Sequence, residues 1–516
     1  MTHPGSGAGI DGSAPGFELE GRRTPIDLDP RAFAEIGHEL VDDVASLLES
    51  LRTRRLGPGE TPEQIRAHLD ADAALPETGM DAATLMRETT ELLVEHSLYN
   101  AHPRFFGYIT AGAAPIGILS DLLASAVNPN MGGWSLSPMA SEMEDQAVRW
   151  IAELVGFPPR GDGVLTSGGN VANMLGFWAA RAARAGWDVR ESGMHAPDAR
   201  PLRVYGARGT HTWIQKAADL SGLGAESLRW VDTDEHGRMD VSALRSLIDA
   251  DRAAGDRPLM VVGTGGSVST GAVDPLPELR AVCDELGLWF HVDGAYGAFA
   301  AAAPNAPDDL RGLALADSVA LDPHKWLYAP LEAGCTLVRD PGALLAAFAY
   351  RPDYYHFQQE AKNFFERGIQ NSRGFRALKV WLQLKQVGRA GYARMIAEDI
   401  ELARRFHGIA DGHDELEALG QGLSITTYRY VPESLRPRIA EAAVAEYLNE
   451  LNQAIQSRME HGGEAFVSNA VLGDVYALRM CVVNFRTTLE DVTALAEITA
   501  RLGRTADEEL RPPGLR

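Results

Sequence analysis

The sequence predicts an α/β fold with a mostly parallel sheet in a large domain, and three observations carry that expectation. Short apolar runs alternate with helical patterns from about residue 163 to residue 338. Alternation of that kind argues for parallel strands joined by right-handed crossovers, with helices on both faces of the sheet. Glycines and titratable residues stand just after several of the runs, where such sheets bind their ligands.

The elements follow in chain order. Residues 1–23 are rich in Gly, Ser, Ala and Pro and lack the apolar core of a signal peptide, so 1–24 is taken as a flexible tail. Pro30 opens a helical pattern in which Phe33, Ile36, Leu40, Val44, Leu47 and Leu48 recur at three- and four-residue steps. That apolar stripe can pack on the body of the chain or on a partner subunit. Further helices are expected over 61–69, with Pro62 at the first position, and over 81–97, with Asp81 as cap. Residues 100–112 are aromatic and broken by Gly and Pro, too irregular for a helix. Helices are expected over 115–127 and from Ser137-Pro138 to about Val155.

Strands are expected at 163–166, 202–205, 258–262, 288–293, 318–322 and 334–339, with helices over 170–185, 212–220 and 276–286. A long helix from Asn371 bends or stops near Gly388. Residues 391–516 mix helices with strands such as 423–428 and 476–483, which suggests a small α+β C-terminal domain. The expected divisions are therefore the tail, an N-terminal helical segment over 25–104, the large domain over 105–390 and the small domain over 391–516.

Composition excludes some function classes. Of 516 residues, 48 are Lys or Arg and 71 are Asp or Glu, a net charge of −23 that disfavours nucleic acid and anionic membranes as partners. No apolar run reaches the length of a membrane span. Cys283, Cys335 and Cys481 lie far apart and make neither a disulfide nor a metal-ligand pattern, which fits a reduced, cytoplasmic setting and no metal.

The residues at the strand ends form a set. Ser167-Gly168-Gly169-Asn170 opens a helix, and its free N–H groups suit a phosphate, although a plain tight turn reads the same way. His211 can stack on a planar ring or serve the structure alone. Thr264 to Gly271 is a small-residue turn able to pack against a flat ligand. Asp293 ends an apolar strand, where a buried carboxylate demands a partner such as a protonated heteroaromatic nitrogen. Lys325, beside Trp326 and His324 at the next strand end, is placed to act as a nucleophile toward an aldehyde. A phosphate cradle, a ring stacker, a carboxylate for a ring nitrogen and a lysine for an aldehyde together describe pyridoxal 5′-phosphate better than any nucleotide.

Seven motifs extend the set: His102-Pro-Arg-Phe-Phe106, Ser137-Pro138 with Glu142 and Glu144, Thr166-Ser-Gly-Gly169, His291-Val-Asp-Gly-Ala-Tyr296, Asp322-Pro-His-Lys-Trp326, Asn371-Ser-Arg-Gly-Phe-Arg-Ala-Leu-Lys379 and Leu478-Arg-Met-Cys-Val-Val-Asn484. With them the chain resembles the group II pyridoxal-phosphate-dependent amino acid decarboxylases, the family of aromatic L-amino acid decarboxylase, over about residues 30–490. The resemblance implies the fold type I architecture, like aspartate aminotransferase, and decarboxylation of an L-amino acid to the amine and CO2. It implies that Lys325 anchors the cofactor, that Asp293 holds its ring nitrogen protonated and that His211 stacks on the ring. Gly168, Gly169, Asn170, Asp322 and His324 would lie around the phosphate, with Ser267 and Ala295 near the cofactor. A loop tyrosine that returns a proton to Cα matches Tyr354 best, with Tyr355 open. Tyr108, Ile109 and Trp134 fall on the stretches expected to meet the substrate, whose side chain is expected to be aromatic or otherwise apolar. A homodimer with the active site at its interface is also implied.

Two features depart from the family pattern. Asp322 stands where many relatives carry Asn, and the 264–271 turn is richer in Gly and Ser than usual. Two rival readings follow: an oxygen-consuming relative that releases an aldehyde, and a non-catalytic protein that keeps the fold for binding.

Overall fold

The computed structural model describes residues 24–351 and 361–515. The expected loop tyrosines, Tyr354 and Tyr355, lie outside the described residues. The chain divides into two compact units. One joins the chain up to Ser50 with Pro62–His96, and holds the helices Pro30–Ser50, Pro62–His68 and Ala82–His96. Proline opens the first two, where its missing N–H costs nothing. Asp81 caps the third, its Oδ2 accepting from Thr84 N at 3.0 Å. None of the three helices buries a residue, and Phe33, Val41, Leu85 and Leu93 stay exposed.

The second unit, Leu51–Thr61 with Ser97–Arg516, contains two sheets. Its strands in chain order are β1 (Phe105–Phe106), β2 (Asp162–Thr166), β3 (Leu202–Ala207), β4 (Leu228–Val231), β5 (Arg257–Thr264), β6 (Trp289–Asp293), β7 (Ser318–Leu321), β8 (Gly334–Val338), β9 (Leu416–Gly422), β10 (Ile425–Tyr430), β11 (Phe466–Leu472) and β12 (Val475–Cys481). The large sheet runs β2-β8-β7-β6-β5-β3-β4. Pairs from β4 to β7 are parallel, whereas β8 is antiparallel to both β7 and β2. The connection from Leu321 to Gly334 contains only a four-residue helix, Pro323–Trp326, too short to cross back over a sheet face. The chain therefore turns and runs back, which leaves the lysine-bearing segment at the sheet edge.

Helices Gly169–Arg184, Trp213–Leu220, Val241–Ala253 and Leu276–Leu286 cover this sheet, and β2, β6, β7 and β8 are buried throughout. β4 and Val241–Ala253 were not foreseen as elements. The strand mixes Arg229 and Trp230 with its apolar residues, while the helix is capped by Asp240, which accepts from Ser242 N at 2.7 Å.

The small sheet runs β1-β11-β12-β10-β9, antiparallel except for β1 against β11. One of its strands thus comes from residues 105–106, far ahead of the other four. Helices Ala442–Gly462 and Leu489–Leu510 pack with it around Phe406, Tyr428, Leu451, Leu478 and Val492. The long helix Ala377–Asp411 kinks where a bend or stop is expected, Gly388 taking φ 68° and ψ 171°. Among the described residues, no helix is long and apolar enough to cross a membrane. All three cysteines are free and buried.

Candidate active site at the carboxyl edge of the large sheet

Strand ends β2, β5, β6 and β7 and the segment after β3 open on one cavity of about 220 Å³. Gly169, Asn170, His211, Asp293, Ala295, Asp322, His324 and Lys325 line it, as do the apolar Ile109 and Val268. The residues singled out for a phosphate, a ring, a ring nitrogen and an aldehyde are therefore neighbours in space.

Asp293 is 8% exposed and accepts two hydrogen bonds. The indole Nε1 of the fully buried Trp213 donates to its Oδ2 at 2.7 Å, and Ala295 N donates to Oδ1 at 3.2 Å. These donors fix the carboxylate where β6 ends. Lys325 Nζ lies 3.0 Å from Asp322 Oδ2, and His324 Nε2 is 3.6 Å from the same oxygen. His324 Nδ1 accepts from Ala333 N at 3.2 Å, and burial lowers the imidazole pKa.

The Gly168-Gly169 turn has little room for any other residue. Gly168 has φ +150°, and a Cβ on Gly169 would stand 2.7 Å from Asp322 Oδ2. A relay of side chains holds the turn from below. Asn173 Nδ2 donates to Gly169 O at 2.8 Å, which aims Asn173 Oδ1 at His291 Nε2, 2.7 Å away. His291 Nε2 must then carry the proton, and Nδ1 accepts from Ser318 Oγ at 2.7 Å while Trp289 Nε1 donates to that hydroxyl at 2.8 Å. Full burial pushes the His291 pKa down to about 4, so the ring stays neutral and the relay keeps one polarity.

The lysine segment is gripped from the other side by the long helix. Trp326 Nε1 and Tyr328 OH both donate to Asp399 Oδ2, at 2.9 and 2.8 Å. Gln383 Nε2 and Tyr392 OH donate to Leu327 O at 3.1 and 3.2 Å, and Trp326 stacks on Tyr296 with ring centroids 4.9 Å apart. Burial raises the Asp399 carboxyl to about 7. A second buried anchor, Arg373 with Glu144, ties β2 down: Arg373 Nη2 donates to Leu165 O at 2.7 Å and Glu144 Oε1 accepts from Leu165 N at 3.1 Å.

Three expected residues stand elsewhere. Ser267 Oγ caps its own turn, within 2.8 Å of Thr270 Oγ1 and accepting from Ala272 N at 3.2 Å, while its neighbours Gly266 and Val268 line the cavity. Tyr108 is 58% exposed, has a φ of 49°, and its ring lies 5.8 Å from that of Phe466 between centroids. Trp134 points its indole N–H to Glu142 Oε1 at 2.8 Å. Of the stretch before it, Ile109 and Thr110 are the residues that reach the cavity. Trp213, Asn173, Thr264 and Asp399 were not assigned individual roles from the sequence; Thr264 carried a signal as the start of the small-residue turn, and Trp213 stands two residues after His211.

Pyridoxal 5′-phosphate can be tested against this donor set. Two buried oxygens on residues that line the cavity, Asp322 Oδ1 and Thr264 Oγ1, have no hydrogen-bond partner, and the glycine cradle would be filled by a single Cβ. The amino end of a sixteen-residue helix, a lysine and a held carboxylate complete a set that fits the group.

Comparison with known proteins agrees. Residues 62–421 match the family described as the pyridoxal-dependent decarboxylase conserved domain. An aromatic-L-amino-acid decarboxylase of Bacillus atrophaeus is 30% identical over 94% of this chain and 97% of its own. A phenylacetaldehyde synthase of a Rosa hybrid cultivar is 28% identical over 90% of this chain and 92% of its own. The solved structure of Oryza sativa TDC with PLP and tryptamine superposes with a TM-score of 0.86 at 27% identity, covering 95% of this chain and all of the other.

Proposed function

The chain belongs to the pyridoxal-dependent decarboxylase family, and from that premise we propose that it acts on an L-amino acid with an aromatic or other apolar side chain. As a member it is a carboxy-lyase that uses pyridoxal 5′-phosphate to decarboxylate an amino acid, with fold type I architecture. The observation that carries the choice of substrate is the cavity itself, which the apolar Ile109 and Val268 line together with Lys325 and Asp293. The first relative named above, an aromatic-L-amino-acid decarboxylase, supports the same choice.

Each residue has a part in this reading. Lys325 holds the cofactor covalently through its aldehyde carbon, and Asp293, oriented by Trp213, keeps the ring nitrogen protonated. His211 covers the ring. Gly168, Gly169, Asn170 and His324 hold the phosphate, and Ser267 and Ala295 shape the flanking turns. When bound, the cofactor supplies the sink for the electron pair left behind by CO2. The chain orients the substrate, excludes water and returns a proton to Cα, through Tyr354 with Tyr355 as the alternative, or through His211. The reading extends to a cytoplasmic homodimer in which the N-terminal helices cover the partner subunit, supported by the unburied apolar residues of those helices.

The test is a panel of L-amino acids offered to the cofactor-loaded protein with and without oxygen. Amine and CO2 without oxygen uptake, best with apolar side chains, is expected. Aldehyde with peroxide would place the protein with the oxygen-consuming relatives instead. An active monomer on gel filtration would refute the dimer.

A further inference from the structure

Asp322 is the buried carboxylate that those roles leave unexplained. Its side chain is 3% exposed, its Oδ2 lies 3.0 Å from Lys325 Nζ and 3.6 Å from His324 Nε2, and its Oδ1 is buried without a partner. A Cβ at Gly169 would meet Oδ2 at 2.7 Å, so the carboxylate stands between the lysine and the glycine turn. Backbone geometry fixes it there: Lys325 N donates to Asp322 O at 2.9 Å, and Pro323 opens the short helix that follows. A buried carboxylate with an unmatched oxygen is costly, and an amide of the same shape would satisfy a turn equally well. The charge therefore needs a reason.

We propose that Asp322 receives the Lys325 ammonium each time the lysine is freed from the cofactor, and thereby governs how fast a substrate amine replaces it. The proposal rests on the decarboxylase reading above. In the exchange, the substrate nitrogen forms the C=N bond to the aldehyde carbon and Lys325 Nζ gives up its own. One ammonium enters and one is released, so nothing is oxidised or reduced. Counted between neutral linkages, the three hydrogens that the substrate ammonium gives up in forming its C=N bond end on Lys325 Nζ, and Asp322 Oδ2 pairs with the resulting charge at the observed 3.0 Å. An ammonium has three donors, and the free Oδ1 offers a second acceptor on the same carboxylate. The paired lysine is held off the reacting carbon during turnover and returns from a fixed place afterwards. While lysine and cofactor are joined, the same anion favours the protonated linkage.

Asp322→Asn keeps the shape and the backbone and removes only the charge, so it separates this role from that of a turn residue. In the cofactor-loaded variant the pH midpoint of the visible absorption of the lysine-bound cofactor is expected to fall by about one unit or more. Rapid mixing with the methyl ester of an apolar amino acid, which has the amine but no free carboxylate to lose, is expected to show exchange slowed about tenfold or more. Asp322→Glu, which restores the charge, should bring the midpoint back toward wild type. The proposal needs both quantities to move in Asp322→Asn; either one unchanged overturns it. If thermal melting shows that the Asn variant does not fold, Asp322→Ser is read by the same criteria. A wild-type protein that never develops the lysine-bound absorption refutes the decarboxylase reading rather than the role of Asp322.

Discussion

On the cavity side of the segment from Asp322 to Tyr328, Lys325 and His324 face a carboxylate with a free buried oxygen, and Thr264 Oγ1 nearby is also unmatched. On the far side Trp326 and Tyr328 share Asp399, and Leu327 O takes two donors from the same long helix. One turn of seven residues thus carries reactive groups outward and hydrogen bonds to the long helix inward. The inward face is tied to the long helix by four donated hydrogen bonds. The outward face is incomplete by design of its own atoms, since buried polar groups are rarely left unmatched unless something else is to meet them. Rigidity behind the lysine is what a covalent anchor requires: the lysine can let go of its ligand without its backbone moving.

Substitutions on the two sides should fail in different ways. The largest effect is expected for Lys325→Ala, which should abolish the lysine-bound absorption and lower turnover by roughly a thousandfold or more while leaving the melting temperature near wild type. Asp399→Ala should do the reverse. It strands the Trp326 and Tyr328 donors in the core, each at about 1–3 kcal/mol, and should show in denaturant melts before it shows in the absorption of the folded fraction. If Asp399→Ala instead melts like wild type and loses the absorption, the division between the two sides is wrong.

Asp399→Asn gives a finer reading through pH. Folding raises the Asp399 carboxyl from 3.8 to about 7, so the folded chain binds its proton more tightly than the unfolded one. That contribution to stability is complete below about pH 4 and is lost as pH rises through about 7, some 4 kcal/mol in all as an upper bound. Wild type should therefore fall progressively behind Asp399→Asn in melting temperature between about pH 4 and pH 7 and run parallel to it above that, and parallel curves across the lower window would remove Asp399 as the cause. The smallest effect is expected for Trp213→Phe, which takes the 2.7 Å donor from Asp293: kcat should drop about fivefold, with KM nearly unchanged.

Much of this was legible in the sequence because chemistry collects at strand ends. Asp293 and Lys325 each follow an apolar run, and the alternation of runs and helices was enough to bring them to one edge. What escaped notice lies where one-dimensional order carries no sign of contact. Asp399 sits 73 residues beyond Trp326 on a helix with several carboxylates, and nothing local marks it as the one that turns inward. β4 was hidden by Arg229, whose guanidinium Nε donates to Asp251 Oδ1 at 2.9 Å at the sheet edge. Tyr108 and Trp134, read as substrate neighbours, are found against Phe466 and Glu142 instead of among the residues that line the cavity.

The antiparallel strand β8 has a consequence for how the protein is born. Its register sets Gly334 opposite Thr166, and a Cβ at Gly334 would stand 2.6 Å from Gly168, so the glycine turn and the lysine segment become neighbours only when β2 and β8 pair. These strands lie about 170 residues apart in the chain, and so long a closure is slow to find. The parallel strands between them can assemble beforehand. During refolding, helical signal should accordingly return ahead of the visible absorption of bound cofactor, and a chain interrupted before residue 334 should be unable to retain the cofactor however well its first strands have formed.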